Sequence, residues 1–133
     1  MTMVFAMFSA ALLVVTLGNM LTVASTDALI SQNLVVTVQA RHAAEGGLDL
    51  ALAQLNEPSY ASCPVCATVF TGVAVGNVAT VSAVATGDMT RLTVVATGTT
   101  PGDRPAIASV QQDYVRDPVT GRWSMLPGTF RRN

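Results

Sequence analysis

The first 26 residues constrain this chain most, because they carry no charged side chain. The run from Met1 to Thr26 is rich in Val, Leu, Met, Ala and Phe, and about 20 such residues suffice to cross a bilayer as a helix. Its Ser and Thr hydroxyls can hydrogen-bond to helix carbonyls one turn back, so lipid tolerates them. The sequence therefore predicts a membrane-inserted N-terminal helix.

Large apolar side chains are predicted to form the surface that this helix presents to lipid or to other helices. They are Phe5, Phe8, Leu12, Leu13, Val15, Leu17 and Leu21. Gly18 and Asn19 interrupt the run near its middle, and their low helix propensity predicts local flexibility. No basic residue accompanies the start of the run, although secretory signals and membrane anchors normally carry one. We expect that a basic leader was removed before Met1.

Charged residues are concentrated beyond this helix. They make up only 11% of the chain, against about 25% in typical soluble domains. Asp27 is the only ionisable side chain before Arg41, and all seven basic residues are arginines from Arg41 onward. The net charge of -1 supplies no basic field that would hold a phosphate backbone. The sequence therefore gives no strong nucleic-acid signal.

Helical character continues past the uncharged run. Residues 27–55 contain no proline, and Leu48, Leu52 and Leu55 recur at helical spacing, which predicts a face packed on a core. The helix is expected to end near Pro58, because the residue before a proline avoids helical backbone. A continuous helix to that point would be about 80 Å long. A helix of that length needs partners, since no compact domain of this size buries it.

The pattern changes to β after Pro58. Alternating apolar and small polar residues predict short antiparallel strands over residues 69–75, 78–86, 91–97, 106–115 and 122–126. Four glycines are assigned to turns between strands, namely Gly72, Gly76, Gly87 and Gly98. The tail, residues 127–133, is expected to be exposed. The predicted fold class is α+β: a long N-terminal helix, residues 1–57, packed on a small antiparallel β-sheet head, residues 58–133.

Cys63 and Cys66 form a Cys-Pro-Val-Cys unit between the helix and the first strand. A redox-active pair of thioredoxin type would require a strand-to-helix junction, and zinc would require two further ligands in a chain whose only histidine is His42. A small disulfide in an oxidising compartment is the favoured interpretation. All three alternatives remain open at this point.

Residues that could carry catalysis are sparse. His42 has no activated serine placed near it by any motif. Asp88, Asp103, Asp113 and Asp117 all lie in or beside predicted turns, where aspartate is favoured for its side-chain hydrogen bonds. The sequence therefore predicts no enzyme activity, no cofactor and no metal site.

The segment from Gln39 to Ala53, with Ala43-Ala44-Glu45-Gly46-Gly47-Leu48 at its centre, resembles the PilX-type branch of type IV pilin-like proteins. In that family an Ala-Ala-Glu-small-Gly-Leu segment closes the long N-terminal helix before a β-rich head. Gly121-Arg122-Trp123 is similar to the closing strand of the same group. The resemblance covers the first 55 residues well and the remainder only in general pattern.

The resemblance implies a ladle-shaped subunit with a helical stalk and a sheet head. It implies a short leader cut by a prepilin peptidase, with N-methylation of Met1. Such subunits reside in the bacterial inner membrane in a single pass before they enter a surface filament. The implied partners are inner-membrane lipid, other pilin subunits and the pilus or secretion assembly machinery.

Two departures from the family pattern refine this expectation. Many pilins carry a glutamate near the mature N-terminus, whereas Phe5 stands at the corresponding place. A helix-breaking proline is also missing from the stalk. These departures favour a minor, priming or tip subunit over an abundant one. The alternatives are a pseudopilin of a type II secretion system, a single-pass thiol-redox protein that uses Cys63 and Cys66, and a membrane-anchored binding module.

Overall fold

The computed structural model describes residues 2–58, 60 and 68–132, without the side chains of Thr2 and Val4. One helix, α1 (Thr2–Leu55), precedes all of the strands. The chain divides into a first unit that ends at Val35 and a second unit that begins at Val36. In the second unit the remaining part of α1 packs on an antiparallel sheet. The predicted α+β fold class is confirmed.

Within the described residues the sheet contains six strands, and every pairing among them is antiparallel. The strands are β1 (Thr68–Val75), β2 (Ala79–Gly87), β3 (Arg91–Thr99), β4 (Ile107–Arg116), β5 (Trp123–Met125) and β6 (Arg131–Arg132). Their spatial order is β1-β2-β3-β4-β5, and β6 also pairs with β4. The five predicted strands are confirmed, with ends shifted by a few residues.

The core lies between the sheet and the part of α1 that begins at Val36. Alternate residues of β2 and β3 face the helix and are buried, as the period of two along a strand requires. Many of them are small: Ala79, Ala83, Ala85 and Ala96 are each at most 5% exposed. Small side chains on both partners allow the helix to lie close to the sheet.

Gly98 marks the closest approach of helix and sheet, and its predicted place in a turn is wrong. It lies inside β3 and pairs with Val81 of β2. A Cβ atom built on Gly98 would overlap the carbonyl oxygen of Ala40 and would lie 2.8 Å from the amide nitrogen of Ala44. Gly98 therefore allows the helix backbone to lie directly against β3. The sequence pattern around it does not distinguish this role from that of a turn glycine. Gly72 also lies within a strand, in the irregular part of β1.

Two further expectations are corrected in β4 and in the tail. Asp113 lies within β4, opposite Thr93 of β3, and not beside a turn. Its carboxylate accepts from Arg91 at 2.7 Å and from the Thr93 hydroxyl at 2.8 Å. The described part of the tail, residues 127–132, is exposed apart from the half-buried Thr129, but it also contains β6, whose Arg131 pairs with Gln111. Both features depend on strand register, which sequence alone did not supply.

Candidate functional site

The first unit exposes its apolar side chains along the whole of its length. Every side chain described between Met3 and Val35 is exposed. The predicted surface residues are Phe5 (80% exposed), Phe8 (70%), Leu12 (56%), Leu13 (60%), Val15 (62%), Leu17 (54%) and Leu21 (72%). This helix is long and apolar enough to cross a membrane. A helix that is apolar all round requires lipid or other helices as its surroundings.

Five hydroxyl groups in this unit are satisfied within the helix, as predicted: those of Ser9, Thr16, Thr22, Ser25 and Thr26. Ser9 donates to the Ala6 carbonyl at 3.0 Å, and Thr16 donates to the Leu12 carbonyl at 2.9 Å. Ser25 and Thr26 donate in the same way to the carbonyl of Thr22. These five groups need no water, so none of them is left unsatisfied when the helix enters an apolar environment.

Gly18 and Asn19 lie within the unbroken helix. A Cβ atom on Gly18 would meet nothing within 4 Å, so no packing contact with a described residue requires glycine there. The Thr22 hydroxyl donates to the Gly18 carbonyl at 2.6 Å. Local flexibility at these residues stays a prediction, because a single helical conformation does not test it.

The segment that carries the family resemblance forms the contact between helix and sheet. Ala43, Ala44, Gly47 and Leu48 are buried, whereas Glu45 and Gly46 are half-buried. A Cβ atom on Gly47 would overlap the Val81 side chain, and one on Gly46 would meet nothing within 4 Å. The two adjacent glycines therefore differ: only Gly47 is required by packing.

Glu45 is the centre of a small ion cluster. Its carboxylate lies 3.2 Å from Arg41 Nε, 3.5 Å from His42 Nδ1 and 3.5 Å from a terminal nitrogen of Arg132. The Arg41 and His42 contacts are within the helix, whereas the Arg132 contact joins the helix to β6. The cluster carries more basic groups than carboxylates.

Two polar contacts that sequence reasoning missed fix the end of α1 to the sheet. The Asn56 amide receives the Trp123 backbone N–H at 2.8 Å and donates to the Trp123 carbonyl at 3.1 Å. The Tyr114 hydroxyl donates to the Leu48 carbonyl at 3.1 Å, and burial raises the pKa of this phenol far above its ordinary value. An asparagine just past the last helical residue was the available signal for the first contact.

The remaining predicted sites lie partly outside the described residues. Cys63, Cys66 and Met1 fall there, so the disulfide and N-methylation predictions stay untested. Among residues 2–58, 60 and 68–132, no three His, Cys, Asp or Glu side chains are grouped as a metal site. Trp123 is buried in the core.

Three aspartates of the head are held ionised by hydrogen bonds. The hydroxyl and backbone N–H of Thr90 lower the pKa of Asp88 below its ordinary value of 3.8. The Val119 backbone N–H and then the Thr120 hydroxyl act in the same way on Asp117. These two carboxylates order turns, which was their predicted role. The pKa of Asp113 is lowered by Arg91 and then by Thr93.

The head is therefore expected to lose stability in acid. A carboxyl whose pKa is lower in the folded state stabilises fully above its unfolded value and loses that contribution as pH falls through the folded value. We predict that the melting temperature, followed by the emission of the single tryptophan Trp123, falls as the pH is lowered from 5 to 2. Asp113→Asn should flatten this dependence. An identical pH slope in wild type and variant would contradict the assignment.

No protein-family model, curated protein or solved structure matches this chain. The chain's two main features are the exposed apolar helix of the first unit and the packing of helix on sheet in the second.

Proposed function

We propose that this chain is a structural subunit of a type IV pilin-like filament. In this proposal α1 holds the subunit in the inner membrane before assembly and enters the filament core afterwards. One observation carries the proposal: the helix up to Val35 exposes its apolar side chains, including Phe5 and Phe8, and finds no partner for them within the described part of its own chain.

The composition of this helix suits both environments. In lipid, its apolar side chains match the solvent and its hydroxyls bond internally. In a bundle, the same apolar surface packs against neighbouring helices, and its Ala, Gly, Ser and Thr residues permit close approach. A plain anchor needs only the first of these two states, and the further 20 residues of α1 that lie on the head suit a filament subunit better.

The residue at position 5 supports a minor, priming or tip role. Phe5 is 80% exposed and cannot neutralise the terminal amine of a neighbour, as a glutamate there can. A bulk subunit must repeat that neutralisation at every contact, whereas a subunit present in a few copies need not. We therefore infer incorporation at low copy number.

Immunogold electron microscopy of negatively stained fibres tests this function. Antibody against the head should label fibres sparsely or at one end. Full-length chain that purifies from detergent only as a monodisperse monomer, from cells whose fibres carry no label, would overturn the proposal.

A further inference from the structure

We propose that Asp27 of one subunit forms an ion pair with Arg41 of a neighbouring copy of the same chain. This inference rests on the proposed filament role and specifies the register of one contact between subunits. The partner at the contact is a second copy of this chain, and the argument is charge complementarity between two surfaces of the same helix.

The carboxylate of Asp27 has no partner among the described residues, and its neighbours on the helix surface are apolar. It is the only ionisable side chain of residues 1–40, it is exposed, and it bonds to no described residue. Ile30 and Leu34, which follow at intervals of three and four, are 64% and 63% exposed. These intervals place all three on one side of a helix. When such a surface is covered, the carboxylate must be paired or it destabilises the contact.

Arg41 is the nearest basic group along the helix and can serve a second carboxylate. Its side chain is 43% exposed, and its contact with Glu45 uses Nε, whereas a guanidinium carries five N–H donors. Glu45 also contacts Arg132 and His42, so it stays paired if Arg41 turns to a new partner. Val38, three residues before Arg41 and 42% exposed, supplies an apolar neighbour.

The two surfaces are complementary. The first surface carries the acid Asp27 beside apolar side chains. The second carries the base Arg41 beside the apolar Val38. Every copy of the chain has both surfaces on α1. Two parallel copies offset by fourteen residues place the acid of one against the base of the other. The contact is head-to-tail, so each copy offers both surfaces and the pair can form wherever two copies adjoin in the filament.

A double-mutant cycle on the full-length chain tests the pair. Wild type, Asp27→Asn, Arg41→Gln and the double variant are purified in detergent, labelled and compared by energy transfer against the ratio of protein to micelles. Detergent is chosen because an offset of fourteen residues is about 21 Å along a helix, which two copies held at one depth of a bilayer cannot adopt. Each single change should weaken self-association about tenfold, and the double variant should be no weaker than either single one. Asp27→Arg combined with Arg41→Asp should restore association to within about threefold of wild type.

Asp103→Asn and Arg104→Gln are the matched controls, because they remove the same charges from an exposed loop of the head. They should leave association unchanged. Additive losses in the cycle, or no loss in either single variant while wild type associates, would overturn the ion pair and leave the filament role intact. A wild-type chain that shows no self-association would also overturn the ion pair, whereas fibres that carry no label would count against the filament role.

Discussion

Replacing Gly98 with alanine is expected to lower the free energy of unfolding of the head by about 3 kcal/mol, at the upper end of overpacking effects. The added Cβ would overlap the Ala40 carbonyl oxygen and lie 2.8 Å from the Ala44 nitrogen. Both are backbone atoms of a helix, so no side-chain rotation relieves the clash. The helix must move away from the sheet, and the buried alanines then lose contact with it.

The measurement is thermal unfolding of the full-length chain in detergent, followed by the fluorescence of Trp123, which is 9% exposed in the core. For a head of this size, about 3 kcal/mol corresponds to a melting temperature lower by about 15 °C. A change of less than about 3 °C would show that the helix does not lie against β3 in the described way.

The adjacent glycines Gly46 and Gly47 provide a matched control within the helix. Gly46→Ala should stabilise the head by about 0.5 to 1 kcal/mol, because alanine favours helix and its Cβ meets nothing there. Gly47→Ala should destabilise the head, since its Cβ would overlap the buried Val81 side chain and lie 3.2 Å from Ala96 Cβ. Opposite signs at neighbouring positions would exclude helix propensity as the common cause.

The sequence predicted the parts of the fold in which the spacing of apolar residues along one helix or strand matches its buried face. Leu48 and Leu55 recur at helical spacing and are 4% and 3% exposed. Strand β2 alternates in sequence, and its buried residues Val81 and Ala83 obey that alternation. In both cases one face of a regular element meets the core, so the period of the element appears directly in the sequence.

Features that arise from contact between distant segments were not predictable in this way. Gly98 has the same local signals as a turn glycine, and only its contact with Ala40 distinguishes it. Asp113 was placed beside a turn because its partner Arg91 becomes visible only once β3 and β4 are in register. Asn56 and Trp123 are far apart in the chain and meet only in the fold. The period of apolar residues shows which face of a helix or strand is buried, whereas these contacts depend on which distant residues meet in the fold.

The exposed helix of the first unit was predictable from composition alone, because an uncharged run of that length has few other uses. The sequence also predicted that the Ser and Thr hydroxyls of this helix bond to its own carbonyls. The structure shows that Thr16 and Thr22 donate to carbonyls one turn back. A serine introduced into this helix should therefore be accepted.

Leu13→Asp is expected to abolish membrane insertion and, with it, incorporation into fibres. Leu13 lies in the middle of the uncharged run and is 60% exposed. An aspartate at the centre of a membrane helix costs about 3 kcal/mol, a factor of about a hundred in the insertion equilibrium. Insertion is measured by carbonate extraction of membranes from expressing cells, and incorporation by counting labelled fibres.

Leu13→Ser is the matched control, because it also removes the apolar side chain but introduces a hydroxyl that can bond to the carbonyl one turn back, as Thr16 does. It should insert and assemble nearly as well as wild type. Val119→Asp places the same carboxylate on a head turn where the native side chain is 90% exposed, and it should leave insertion unchanged.

These variants separate a requirement for low polarity from a requirement for the absence of charge. If the helix must only be apolar, Ser and Asp at position 13 should both fail, and the internal hydroxyl bonds of Ser9 and Thr16 would have no role. If charge is what the membrane and the bundle exclude, only Asp should fail. Labelled fibres of normal number and length from Leu13→Asp would remove the filament-core role of the helix, because a buried bundle of stalks cannot hold that carboxylate unpaired.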